Sequence, residues 1–144
     1  MGGGVASLHA TAVAVNGAAL AICGPAGSGK SGCAAMMLAL GARLVADDLC
    51  ILRREGARVV VARPHAAPAA MELRGIGIVP VDGVDRAPLR GVLLLKDSTA
   101  RLPEGQTISL LDRPVPLLRH PYRFDVAAKA TAWLRSRRVA ADHD

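Results

Sequence analysis

Residues Gly24, Gly29, Lys30 and Ser31 in the run Gly24-Pro25-Ala26-Gly27-Ser28-Gly29-Lys30-Ser31 have the spacing G-x-x-x-x-G-K-S of a loop that holds phosphate. Glycines let the backbone turn its N–H groups inward, and these donors, with the start of a following helix, surround phosphate oxygens. Lys30 can reach the terminal phosphates and the Ser31 hydroxyl can ligate Mg²⁺. A plain glycine-rich turn is the rival reading. It is disfavoured because an apolar stretch over 18–23 precedes the loop and a helical pattern follows it. The chemistry indicated is binding of a nucleoside polyphosphate.

Asp47 and Asp48 close the apolar stretch 44–46. Neighbouring side chains at a strand end point in different directions, so one carboxylate can face Mg²⁺ or its waters while the other faces a substrate hydroxyl. A base so placed accepts the hydroxyl proton as a γ-phosphoryl group transfers. Taken alone, the pair also suits a solvated turn. His9, in an apolar stretch, reads either as a site residue or as a buried histidine with one hydrogen bond. Glu72 and Arg74 read either as site groups or as a local ion pair.

The elements that must position these residues follow from the apolar pattern. Residues 8–15 alternate loosely up to Asn16-Gly17, a strong hairpin signal, and 18–23 follow directly, so a hairpin feeds the phosphate loop. A helix is expected over 30–40, stopped by Gly41, and then a short buried strand over 44–46. Strands are expected at 50–52 and 58–61, separated by a turn over 53–56. Pro64 and Pro68 mark a bend. Gly75 and Gly77 interrupt the apolar run 71–81. A strand is expected at 91–95, a short one at 109–111, and a final amphipathic helix over 124–139 with a frayed tail at 140–144. Strand, loop, helix and strand in that order indicate an α/β fold.

A length of 144 residues with 51% hydrophobic composition suits one domain over 1–144, its core over about 8–138. Aromatic residues make up only 2%, so Ala, Val, Leu and Ile must build the core; Trp133, Phe124 and Tyr122 are expected to cluster and anchor the C-terminal element. The net charge of +6 rests on 15 arginines and on Lys30, Lys96 and Lys129. Arginine forks match phosphate and carboxylate, which fits an anionic ligand or acidic partner, although a composition bias spread over the surface accounts for most of the charge. With no aromatic platform among the basic residues and no recognisable nucleic-acid module, nucleic acid is not an expected partner. Cys23, Cys33 and Cys50 lack metal-ligand spacing and read as reduced core thiols of a cytoplasmic protein. Neither a leader nor a stretch of membrane-spanning length is evident, so secretion and membrane insertion are not expected.

Combined, the motifs resemble the C-terminal catalytic domain of HPr kinase/phosphorylase, in a short form like that of alphaproteobacteria. The resemblance runs from about residue 8 to about 134. It rests on His9, on Gly24, Gly27, Gly29, Lys30 and Ser31, on Arg43-Leu44-Val45-Ala46-Asp47-Asp48, and on Met71-Glu72-Leu73-Arg74-Gly75-Ile76-Gly77-Ile78, which matches the family run L-E-I-R-G-L-G-I. It implies a P-loop NTPase-like α/β fold with the mixed sheet shared by HPr kinase and PEP carboxykinase. It further implies ATP with Mg²⁺ or Mn²⁺, transfer to a seryl hydroxyl of HPr or a related phosphotransferase-system carrier, and a homo-oligomer such as a hexamer.

Residue by residue, the resemblance makes Asp48 the proton acceptor, and the donor in phosphorolysis. Residues 24–31 cradle the nucleotide, with Lys30 holding its terminal phosphates. Ser31, Glu72 and Asp47 serve the metal, His9 and Arg101 join the active site, and Arg74, Arg119 and Arg123 contact phosphate or substrate. The chain departs from the family at Pro25 and Gly32, and the family's P-V-R-P-G-R-N loop survives only as residues 116–124, without the central glycine. The kinase direction is therefore implied more strongly than the phosphorylase direction. The competing functions are a small-metabolite P-loop phosphotransferase and a non-catalytic nucleotide-binding regulator.

Overall fold

The computed structural model describes residues 4–96 and 106–137. Thirteen elements lie in these segments. The first three strands are β1 (Val5–Leu8), β2 (Thr11–Val15) and β3 (Ala18–Cys23), and helix α1 (Lys30–Ala39) follows the phosphate loop. Then come β4 (Arg43–Ala46), β5 (Cys50–Glu55), β6 (Arg58–Ala62), β7 (Ala70–Leu73), β8 (Gly77–Pro80), β9 (Arg86–Leu95), β10 (Thr107–Leu110), β11 (Arg113–His120) and helix α2 (Val126–Arg135).

The expected hairpin joins β2 to β3 antiparallel, and its turn uses positive φ at both Asn16 (52°) and Gly17 (80°), the conformation that suits the twist of the flanking strands. Strand order in the large sheet is β1-β5-β6-β9-β3-β2-β4, with β11 also beside β9, and β7 and β8 form a separate pair. β4 is antiparallel to β2, which is antiparallel to β3, so β4 runs with β3. β9 and β11 run with β3 as well. The carboxyl ends of β3, β4, β9 and β11 therefore share one edge of the sheet, the edge at which open α/β sheets bind ligands.

Side chains alternate across this sheet by size. Val13, Val15, Leu20 and Ile22 face α1 and α2, packing with Cys33, Met37, Leu44, Leu93 and Leu134. Ala12, Ala14, Ala19 and Ala21 face the other side, where they meet Val45, Leu52, Val59, Val61 and Val92. Each fully buried Leu, Ile or Met contributes about 1.5–3 kcal/mol. The alanines contribute less but let the opposing strands approach closely.

Several expectations are corrected here. β5 continues to Glu55, so the turn expected over 53–56 falls at Gly56-Ala57. Residues 71–81 contribute the two strands of the β7–β8 hairpin. α2 spans ten residues, starting later and ending earlier than expected. The aromatic cluster does not form. Trp133 packs on the core and against Gly91, Phe124 is 87% exposed, and Tyr122 sits on the phosphate loop. The expected frayed tail lies outside the described residues. No described helix is long and apolar enough to cross a membrane.

Candidate active site

The phosphate loop leaves β3 at Cys23 and enters α1 through Gly29, which caps the helix at φ 102° without a side-chain bond. Gly24 and Gly27 also have positive φ, 152° and 80°, and the Pro25 carbonyl accepts from the Ser28 N–H at 3.0 Å. In this loop the Lys30 ammonium is folded back on its own backbone, donating to the Gly24 carbonyl at 2.8 Å and to that of Pro25 at 3.3 Å. The Ser28 hydroxyl is buried with no hydrogen-bond partner among the described residues, and a Cβ built at Gly24 would meet it at 2.5 Å. An orphaned donor beside inward-turned glycine backbone suits an oxyanion.

Asp47 and Asp48 emerge from β4 two strands away from Cys23, roughly 10 Å at ordinary strand spacing. Thr11, which opens β2 between them, is 1% exposed. Its hydroxyl donates to Asp47 Oδ1 at 3.0 Å and lies 3.4 Å from the Asp48 N–H, which it accepts. Asp48 has φ 73°, a left-handed conformation unusual for a residue with a side chain. Its carboxylate is exposed and free of partners among the described residues.

His9 lies between β1 and β2 near the start of β2 and is exposed, which removes the buried-histidine reading. Glu72 and Arg74 are exposed and form no ion pair with each other. Their hairpin packs on α1, with Met71 and Leu73 in the same core cluster as Cys33 and Met37. Arg119 lies on the final residues of β11, with its Nε donating to Gln106 Oε1 at 3.2 Å, and Arg123 is exposed just before α2. Arg101 lies outside the described residues.

The sequence reading missed Thr11 and Tyr122. The Tyr122 ring lies against two glycines of the loop and of α1, so that a Cβ at Gly29 would meet it at 2.5 Å and one at Gly32 at 2.8 Å. Tyr122, shortly before α2, thereby packs against the phosphate loop. A threonine followed by its acidic partner 36 residues later leaves no local spacing signal, and Gly32 stood out only as a departure from the family pattern.

All three cysteines are free. Burial pushes the Cys33 thiol up to about 11 and Cys50 to about 12, with Cys23 and Asp47 adding to the Cys50 shift. Cys23, next to Gly24, is also raised by burial, and the Lys30 charge opposes this.

The available donors are a hydroxyl and carboxylates, hard oxygen ligands that fit Mg²⁺ or Mn²⁺. Among the described residues no three His, Cys, Asp or Glu side chains converge as a metal cage.

Residues 4–84 match the family model described as HPr Serine kinase C-terminal domain. The chain belongs to this family. Among curated relatives, HPr kinase/phosphorylase of Chloroherpeton thalassium is 39% identical over 77 residues, which are 53% of this chain and 23% of that protein. HPr kinase/phosphorylase of Lactobacillus delbrueckii subsp. bulgaricus is 36% identical over 94 residues, 65% of this chain and 28% of that protein. The chain thus spans about a quarter of the length of the curated relatives it matches. The solved HPr(Ser) kinase/phosphatase of Coxiella burnetii superposes with a TM-score of 0.81 at 22% identity, covering 93% of this chain and 91% of that one. The mixed α/β fold expected from the motifs is therefore that of the solved HPr(Ser) kinase/phosphatase.

Proposed function

We propose that the chain is an ATP-dependent protein serine kinase acting on the phosphocarrier HPr or a related phosphotransferase-system carrier in the cytoplasm. The observation that carries this reading is the arrangement at one sheet edge, where the phosphate loop and the Asp47-Asp48 pair flank Thr11. A nucleotide-binding regulator would need only the loop. An exposed carboxylate in a left-handed backbone conformation beside it supports proton transfer.

In this mechanism Lys30 exchanges its loop carbonyls for the terminal phosphate and, with the backbone N–H groups of residues 24–31, stabilises the charge that develops during transfer. Asp48 accepts the proton of the incoming seryl hydroxyl. Thr11 holds Asp47 and the Asp48 backbone in place. Ser31, Asp47 and Glu72 would hold Mg²⁺, which would neutralise phosphate charge when bound. His9 joins the active site in this reading, as does Arg101, which lies outside the described residues. Arg74 and the neighbouring Ile76 and Ile78, which are 78% and 77% exposed, offer a surface for a folded protein substrate.

Phosphorolysis is the second activity of this reading. Arg119 and Arg123 lie three residues before and one residue after Tyr122, whose ring touches the loop, and are the candidates to hold an inorganic phosphate. Asp48, protonated, would then return its proton to the leaving serine oxygen. Assembly as a homo-oligomer, with a hexamer as the family-like form, belongs to the same proposal.

The test is incubation with purified HPr and γ-labelled ATP in Mg²⁺ or Mn²⁺, followed by the reverse assay with inorganic phosphate. Label on a seryl residue is expected, and Asp48→Asn should abolish transfer while nucleotide binding persists. Absence of label across both metals would sink the kinase assignment. Label on a small metabolite would favour the metabolite phosphotransferase instead.

A further inference from the structure

Tyr122 is the only tyrosine of the chain, and its ring runs along the first turn of α1. Its Cβ–Cγ end lies against Gly29 and its hydroxyl end against Gly32, where added Cβ atoms would meet it at 2.5 and 2.8 Å. Positions three apart are neighbours on a helix surface, so the ring takes the place of two absent side chains. Packing on glycine backbone would bury the ring if cover were its whole task, yet Tyr122 is 51% exposed. About half of this residue therefore stays open beside the phosphate loop.

The segment that carries it is pinned at both ends. His120 ends β11 in register with Leu95 of β9, and its carbonyl accepts from the Lys96 N–H at 3.0 Å. The Leu95 carbonyl oxygen in turn lies 3.3 Å from the Cβ position of Gly24, which sets this end of the sheet beside the loop. At the other end the Arg123 carbonyl accepts from the Val126 N–H at 3.1 Å as α2 begins. One ammonium joins the two ends, because Lys129 pairs with Asp125 Oδ2 at 3.0 Å and donates to His120 Nε2 at 3.1 Å. The carbonyl of Pro121 can only accept, so His120 Nδ1, 2.7 Å away, carries the proton and Nε2 is left to receive the lysine. Tyr122 thus sits on a short, anchored arm, and a ring fixed in advance costs little ordering when a ligand meets it.

A nucleotide whose phosphates fill residues 24–31 carries its base away from the cradle. An aromatic surface left open at the rim of that cradle is what a flat base stacks on. Resting on the nucleotide-binding reading above, we infer that Tyr122 is the base-stacking platform of this site. Because bare phosphate chains have no π face, the ring selects a nucleoside polyphosphate over an inorganic one.

The full chain is titrated by calorimetry in Mg²⁺ with a non-hydrolysable ATP analogue and with tripolyphosphate. The analogue is expected to bind about fivefold or more tightly than tripolyphosphate. Tyr122→Ala should weaken the analogue about fivefold more than it weakens tripolyphosphate, and Tyr122→Phe should keep the wild-type preference. In the wild-type chain the single set of tyrosine ring proton resonances should move upfield on adding the analogue, and move less on adding tripolyphosphate. The inference is overturned if Tyr122→Ala weakens both ligands equally, which would leave the ring a packing element of the loop, or if the ring resonances do not respond to the base. Should Tyr122→Ala unfold, the resonances of the wild-type chain decide alone. Tripolyphosphate binding without any preference for the analogue overturns the stacking and leaves the phosphate loop standing, whereas binding of neither overturns the nucleotide reading beneath it.

Discussion

Thr11→Val removes one oxygen from beneath the acidic pair and leaves the shape of the side chain nearly unchanged. The bond lost, 3.0 Å from hydroxyl to Asp47 carboxylate, joins a neutral donor to a charged acceptor. Such bonds contribute about 1.5–3 kcal/mol when fully desolvated. Asp47 is only partly buried, so water recovers some of this, and the 3.4 Å contact with the Asp48 N–H is too long to add much. A net loss of about 1–2 kcal/mol follows. For a chain of this size that lowers Tm by about 3–8 °C. The effect on catalysis is separate. Asp48 is held at φ 73°, a conformation worth about 1–2 kcal/mol of strain, and loosening its support lets it relax away from the position that the proposed mechanism gives it. Each 1.36 kcal/mol of lost transition-state stabilisation is tenfold in rate. On the proposed kinase activity we expect kcat to fall by about 5- to 30-fold, with KM for ATP within about twofold, and Thr11→Ser to recover most of it. A lower Tm with unchanged kcat would refute the positioning role and leave Thr11 a stability residue only.

Three further outcomes are expected. Gly29→Ala meets the Tyr122 ring at 2.5 Å in a backbone conformation that disfavours a side chain, so nucleotide affinity measured by calorimetry should fall at least tenfold, with only partial recovery on adding Tyr122→Ala. Full retention of affinity would show that the loop tolerates a different path. Gly91→Ala drives a methyl to 2.6 Å from Trp133 ring carbons, so urea denaturation should reveal a loss of about 1–3 kcal/mol while the loop still binds nucleotide. The thiols at Cys33 and Cys50 stay protonated in the folded chain to about 11 and about 12, above the ordinary 9.0, so the unfolded chain ionises first. Stability present below pH 9 should therefore decline as the pH rises through that window. The slope should be shallower in Cys50→Ala, and an identical slope would refute the burial argument.

Much of the site could be read from sequence because its parts are local. The loop is a contiguous spacing, Asn16-Gly17 fixes its own turn, and Asp47-Asp48 end a strand whose apolar residues announce it. What escaped depends on distant partners. The resemblance made residues 116–124 a loop, yet 113–120 form β11; Pro114 and Pro116 precede the stretch that pairs with β9, and β11 lies at the sheet margin where missing N–H donors are tolerated. β5 outran its expected end because Arg53 and Glu55, polar on one side, are normal for a strand with an exposed face. The roles of Thr11 and Tyr122 were illegible for the same reason: each acts through a neighbour 36 or more positions along, or at least 90 positions back, and no local pattern records that.

Tyr122 has one further consequence. Because the start of α1 carries no side chains at 29 and 32, the wall behind the nucleotide cradle is furnished from the far end of the polypeptide. A change that tugs on the segment ahead of α2, whether a docked protein or a substitution in that arm, therefore pulls a plank from the cradle itself. On the proposed function, affinity for nucleotide is expected to respond to changes in the C-terminal arm through this single phenol ring.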